Sequence, residues 1–153
     1  MDLGILMDSS HYISPSLWEE EKSIVVTLMD KLDITLLGTH MSVMTLSSEV
    51  EFPIPFNGYR DKVDLKRKIA ELPYNYHSGL SRVDLGLSAV KERMFDPRVG
   101  VRAKVPRALL MFTNGLTDGA KTLIITLIYL KFKKDCVFVW FNSFLVSWSD
   151  KSK

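Results

Sequence analysis

The sequence predicts an α/β fold, a doubly wound and mostly parallel sheet flanked by helices, on three observations. Short continuous apolar runs, Leu3 to Met7, Ala108 to Phe112 and Cys136 to Trp140, lack period-two alternation and read as strands buried on both faces. Between them lie stretches whose apolar residues recur at helical spacing. The two kinds of segment alternate along the chain, as a parallel sheet with helices on both sides requires.

The elements follow in order. Leu3 to Met7 ends at Asp8 and the polar turn Ser9, Ser10, His11, so a buried strand delivers a loop. Ser14 before Pro15 predicts a helix start, with Glu19, Glu20 and Glu21 crowding the early turns near the positive end of the helix dipole. Trp18, Val25, Leu28, Met29 and Leu32 then share one helical face. After Gly38, Met41, Val43 and Thr45 alternate with other residues as a strand. Val50 to Phe56, interrupted by Pro53 and Pro55, reads as an edge strand because proline donates no ladder hydrogen bond. Asn57-Gly58 makes a turn, and Val63, Leu65, Ile69 and Leu72 outline a short helix closed by Pro73.

A tyrosine-rich loop, Tyr74 to Gly79, leads to Val83, Leu87, Val90 and Met94, spaced for an amphipathic helix that stops before Asp96-Pro97. The basic stretch Arg98 to Arg107, with Arg102 and Lys104, reads as a solvated surface connection. Ala108 to Phe112 is bounded by Thr113-Asn114-Gly115. Ala120 to Phe132 is read as a helix from its length and its Leu123, Leu127, Leu130 spacing. After Cys136 to Trp140 the tail shows no assignable pattern beyond its apolar start.

Composition narrows the function. At 153 residues the chain fits one domain, residues 1–153. A balance of 20 Lys+Arg against 18 Asp+Glu leaves +2, which gives no electrostatic case for nucleic acid or an anionic membrane. The lone Cys136 excludes an intrachain disulfide and a cysteine zinc site. Leu123 to Phe132 falls short of the roughly 20 apolar residues that a membrane span needs. MDLGILMDSS has no basic leader, so no signal peptide is read in this chain. In sheets of this kind ligands bind at the carboxyl ends of the strands, where the loops Asp8 to Ser14, His77 to Ser81 and Thr113 to Asp118 are expected to gather.

The strand running into Asp8-Ser9-Ser10, Trp18 in a long first helix, Phe56-Asn57-Gly58-Tyr59, the loop and helix from Leu72 to Leu87, and Arg107 to Gly115 resemble, in order and spacing, a von Willebrand factor A domain. The resemblance implies a metal-ion-dependent adhesion site, in which an Asp-x-Ser-x-Ser loop, a threonine and a later aspartate hold Mg²⁺ or Mn²⁺ and leave a position for a partner's carboxylate. By that resemblance Asp8, Ser10, Ser81 and Asn114 are the metal-site positions, and Tyr12, His77 and Asp118 are candidates for ligand contact on the same face. The match is degenerate. Tyr12 stands where a second serine belongs, and its phenol is a poor hard-cation ligand. Asn114 replaces the aspartate and removes a negative charge. Weak or absent Mg²⁺ binding follows from fewer charges and fewer oxygens. Asp8, Ser10 and Ser81 suit equally a hydrogen-bonded loop junction without metal.

The implied function is protein binding or cell–matrix adhesion, extracellular or secreted, without catalysis. The alternative is a haloacid-dehalogenase-like phosphohydrolase with Asp8 as nucleophile. Such enzymes carry a second acidic residue two positions on, where this chain has Ser10. Family members continue past the strand at Cys136 with another edge strand and a closing helix, so the chain reads as short after about residue 140. Phe141, Phe144, Leu145 and Trp148 are then expected either to cover the exposed sheet edge or to leave an apolar patch that invites association.

Overall fold

The computed structural model describes residues 1–74, 81–113, 136–141 and 144–149. Among these residues six strands form one sheet: β1 (Asp2–Asp8), β2 (His40–Leu46), β3 (Val50–Ile54), β4 (Arg107–Thr113), β5 (Cys136–Phe141) and β6 (Phe144–Ser149), in the spatial order β3-β2-β1-β4-β5-β6. The four inner strands run parallel, with β1 between β2 and β4 and with β5 beside β4. The edge strands β3 and β6 are antiparallel to their neighbours. The chain leaves β1 toward β2 on one side and later returns to β4 on the other, so the winding reverses between β1 and β4. A crevice opens at the carboxyl ends of two strands at such a point.

Helix α1 (Pro15–Lys31) begins as its sequence dictates. Ser14 is the cap, its Oγ accepting from Leu17 N at 3.2 Å, with Pro15 in the first turn where the missing N–H costs nothing. The acidic run differs from expectation: no acidic residue lies in the first turn, because Glu19 to Glu21 start one turn too late. The inward face of α1 is Trp18, Glu21, Lys22, Val25 and Met29, so a glutamate sits on a stripe otherwise led by large apolar side chains. Helix α2 (Lys62–Ala70) is capped by Asp61, whose carboxylate accepts from Asp64 N at 2.8 Å. Helix α3 (Val83–Ala89) runs on into a single π-turn, Val90–Met94.

Strand β1 is buried throughout, and its side chains alternate between two cores. Leu3, Ile5 and Met7 pack with Trp18, Val25 and Met29 of α1 and Leu65 and Ile69 of α2. Leu6 joins Met44, Leu46, Leu87, Val90 and Met94 on the α3 face. Two glycines permit that second layer: a Cβ on Gly4 would lie 2.4 Å from Met94 Sδ, and one on Gly86 would lie 2.8 Å from a Leu46 methyl.

Three readings of the sequence change. The tail is not patternless, because Phe144–Ser149 is a full edge strand paired with β5. Arg102 is not a solvated loop residue: its Nε donates to Asp2 Oδ1 at 2.8 Å, its backbone N to Asp2 Oδ2 at 2.8 Å and its Nη2 to the Met1 and Gly38 carbonyls. Leu28 and Leu32 only flank the α1 core stripe rather than forming it. The expected helix at residues 120–132 lies outside the described residues. Among the described residues no helix is long and apolar enough to cross a membrane.

Candidate functional site

Asp8 ends β1 at the crevice and is fully buried, as are Ser10 and Ser81. The Ser10 N–H donates to Asp8 Oδ1 at 2.9 Å, a turn in which the aspartate side chain replaces a backbone acceptor. The Ser81 hydroxyl donates to Asp8 Oδ2 at 2.7 Å across 73 residues of sequence. Neighbouring loops hold this arrangement in place. The Ser9 N–H and hydroxyl both donate to the Leu46 carbonyl at the end of β2, and the Arg82 N–H donates to the Ser47 carbonyl. The loop after β1 and the segment entering α3 thus meet on one carboxylate, and the end of β2 and the loop after it brace both.

Burial pushes the Asp8 carboxyl above its ordinary range, while the Ser81 hydroxyl, the Ser10 N–H and the nearby hydroxyls of Ser10 and Thr113 pull the other way. Thr113 is the buried last residue of β4, across the crevice from Asp8. The Ser10 hydroxyl is buried near the Asp8 carboxyl, close enough to favour its charged form but without a hydrogen bond of good geometry. A buried polar atom left unpaired at the foot of a crevice, beside a carboxylate, suits an oxygen-seeking ligand. Hard oxygen donors of this type fit Mg²⁺ or Mn²⁺. Among the described residues no three His, Cys, Asp or Glu side chains gather as a metal cluster, so the donor set is hydroxyl-rich and poor in charge.

Tyr12 is half-buried, with its ring 3.9 Å from the His11 ring centroid to centroid. The Tyr74 hydroxyl donates to the Ile13 carbonyl, and its ring packs against Trp18 at 6.1 Å, which makes it a support of the Asp8 loop. Asn114, His77 and Asp118 lie outside the described residues.

Two residues are not legible in sequence as part of this neighbourhood. Thr113 reads only as a strand end. Glu21 reads as one of three charges on a helix, yet it is 4% exposed, and one of its carboxylate oxygens has no hydrogen-bond partner. Burial, then repulsion from Asp8 and from Glu20, push its carboxyl up to about 8. The signal available in sequence is its spacing, three residues after Trp18 and four before Val25 on the apolar stripe.

The family model described as von Willebrand factor type A domain matches residues 2–134. The chain belongs to this family. Human Matrilin-4 is 29% identical over 118 residues, covering 75% of this chain and 19% of that protein. Chicken (Gallus gallus) Matrilin-3 is 25% identical over 118 residues, 75% of this chain and 26% of that protein. Rat von Willebrand factor is 25% identical over 126 residues, 80% and 29% respectively. The chain thus spans less than a third of the length of these relatives.

Among solved structures, proximal thread matrix protein 1 from the mussel byssus superposes with a TM-score of 0.82 at 22% identity, over 90% of this chain and 36% of that one. A further structure of that protein has a zinc-occupied MIDAS motif. Manganese-loaded TRAP protein of Plasmodium vivax superposes with a TM-score of 0.78 at 20% identity, over 91% of this chain and 56% of that one. As a von Willebrand factor A domain, the chain has its first-strand aspartate, the serine two residues on and the hydroxyl from the α3 segment in mutual reach.

Proposed function

We propose that this domain is a protein-binding module of the extracellular matrix or cell surface, engaging its partner with the loop face at the carboxyl ends of β1, β2 and β4. The observation that carries the reading is the Asp8, Ser10, Ser81 cluster, where loops far apart in sequence meet on one buried carboxylate. The membership in a family that includes matrilins and von Willebrand factor supports the adhesive role.

A divalent cation, Mg²⁺ or Mn²⁺, would be held by Asp8, Ser10 and Ser81 and would supply a positive centre for an acidic group of the partner. Zinc and manganese in two structural neighbours are consistent with such a site. With Tyr12 and Asn114 in place of a second serine and an aspartate, binding is weak. Tyr12 and, by the family resemblance, His77 and Asp118 contact the partner.

The test is binding of the purified domain to immobilised matrix proteins, collagens and fibronectin among them, with Mg²⁺ or with a chelator. Saturable binding that the chelator weakens and Asp8→Ala abolishes is expected. Binding indifferent to Asp8→Ala would move the partner surface elsewhere. Hydrolysis of a phosphate monoester lost in Asp8→Asn would replace this reading with the phosphohydrolase one.

A further inference from the structure

We propose that the cavity at the amino end of β2 is a second docking site, and that it takes an acidic peptide segment of a partner protein, with an apolar side chain in the cavity and neighbouring carboxylates on Arg60 and Lys68. The site lies at the far end of the sheet from Asp8, since β2 begins beside Asp2 and ends beside Asp8. It does not depend on a cation at Asp8.

The cavity measures about 520 Å³, a size that accommodates a bound group. One wall is the connection from α1 to β2, with Ile34 and Leu36, and the other is the connection from β3 to α2, with Phe56, Tyr59 and Arg60. Hydrogen bonds to the main chain fix both walls. The Thr39 N–H donates to the Asp33 carbonyl at 2.6 Å, the Gly58 N–H to the Pro55 carbonyl at 2.8 Å and the Asn57 N–H to the Val99 carbonyl at 3.2 Å. His40 Nε2 donates to the Leu36 carbonyl at 3.1 Å, and the Met41 N–H to the Tyr59 hydroxyl at 2.9 Å. A cavity formed in advance spares its ligand the entropy of ordering it.

Two further observations say what fits there. The three most exposed large apolar side chains among the described residues are Leu37 at 92%, Leu36 at 81% and Val63 at 77%. Leu36 lines the main cavity, Leu37 follows it, and Val63 lines a smaller hollow that shares Arg60 and Asp61 with the first. An apolar rim around an apolar cavity marks a contact surface. The second observation is charge. A hollow of about 310 Å³ continues from the cavity past Asn57, Tyr59 and Arg60 to Arg67 and Lys68. Asp61 is committed to the Asp64 N–H at the start of α2, and Arg67 to Asp64 and Glu71. Arg60 and Lys68 form no ion pair among the described residues, so two cations border the apolar cavity without an acid of their own. A carboxylate-bearing peptide with an apolar residue matches both parts, whereas a sulphated glycan would leave the Ile34 and Phe56 walls unfilled.

The experiment selects peptides from a random display library on the immobilised domain, then measures their dissociation constants by fluorescence anisotropy on the wild type, Arg60→Glu, Leu36→Glu and Asp8→Ala. Enriched peptides are expected to carry a large apolar residue flanked by Asp or Glu. Their dissociation constants should rise about tenfold or more in Arg60→Glu and in Leu36→Glu. They should stay unchanged in Asp8→Ala and with a chelator. Both substituted side chains are exposed, so these variants should melt with the wild type. If Leu36→Glu fails to do so, Leu36→Ser replaces it. Absence of such a consensus, or binding indifferent to either substitution, overturns the proposal. Loss of binding in Asp8→Ala assigns the peptides to the other face and overturns it too. Heparin or phosphatidylserine vesicles held through Arg60 with no peptide enriched would replace the peptide with a polyanion or a membrane. Each of these failures leaves the reading of the Asp8 face untouched.

Discussion

Asp8 and Glu21 are both buried acids, but they are stabilised to different degrees. Asp8 collects a backbone N–H and the Ser81 hydroxyl, which offset part of its burial, whereas Glu21 Oε2 collects nothing. The pH dependence of stability should therefore be dominated by Glu21. Its carboxyl is raised from the ordinary 4.5 to about 8, so between those values the folded state holds a proton that the unfolded chain has released. Stability consequently falls as pH rises through that window, by at most about 1.4 kcal/mol for each pH unit, and levels off above it. Metal-free melting of the wild type from pH 5 to 9 should show this decline, and Glu21→Gln should flatten it. A wild-type curve that rises over the same range would show that Glu21 is ionised and compensated in the fold.

At the scale of elements, α1 connects the site to the core. Its first turn follows directly from the Asp8 loop, and its inward face lies over β1. The cap at Ser14 fixes where that helix begins and hence which residues point inward. Ser14→Ala removes the acceptor for Leu17 N and should cost about 1 kcal/mol, read from the midpoint of urea unfolding with an unchanged slope. Because the cap lies past the Asp8 loop and touches none of its donors, cation response should survive that change. The π-turn at Val90–Met94 is a second element-level feature. It lets α3 continue past Ala89 while Val90 and Met94 both stay in the core.

Across the whole molecule, a third buried acid lies at the opposite end of the sheet. Asp2, fully buried at the start of β1, is neutralised by Arg102, which arrives from the connection before β4 and ties Met1 and Gly38 to the same guanidinium. The two ends of β1 thus differ in kind: one acid has its cation in the fold, and the other has none among the described residues. Arg102→Met should destabilise the domain by about 3 kcal/mol, because it leaves Asp2 buried without its partner. Asp2→Asn in that background should recover much of the loss. Melting temperatures of the two variants measure both effects, and a fully tolerated Arg102→Met would mean that water reaches Asp2.

How much of this is legible in the sequence depends on whether the signal is local. The parallel strands, the Ser14 cap, the edge position of the proline-bearing β3 and the family itself follow from apolar runs, spacing and short motifs within single segments. Asp8, Ser10 and Ser81 are legible as candidates through the order of motifs. Their meeting is tertiary, because 73 residues separate Ser81 from Asp8. Strand β6 escapes a sequence reading because Phe144 to Ser149 has the composition of apolar cover until β5 gives it a ladder to join. Arg102 and Glu21 escape it for one shared reason. A charge written in a run of charges looks solvated, and only the packed structure decides which member of the run turns inward and whether an opposite charge waits there. The sequence alone therefore determined the sheet, its helices and the family, which rest on periodicity and motif order. The tertiary structure alone decided which acids are buried and which of them are compensated, since burial and pairing depend on elements that come together only on folding.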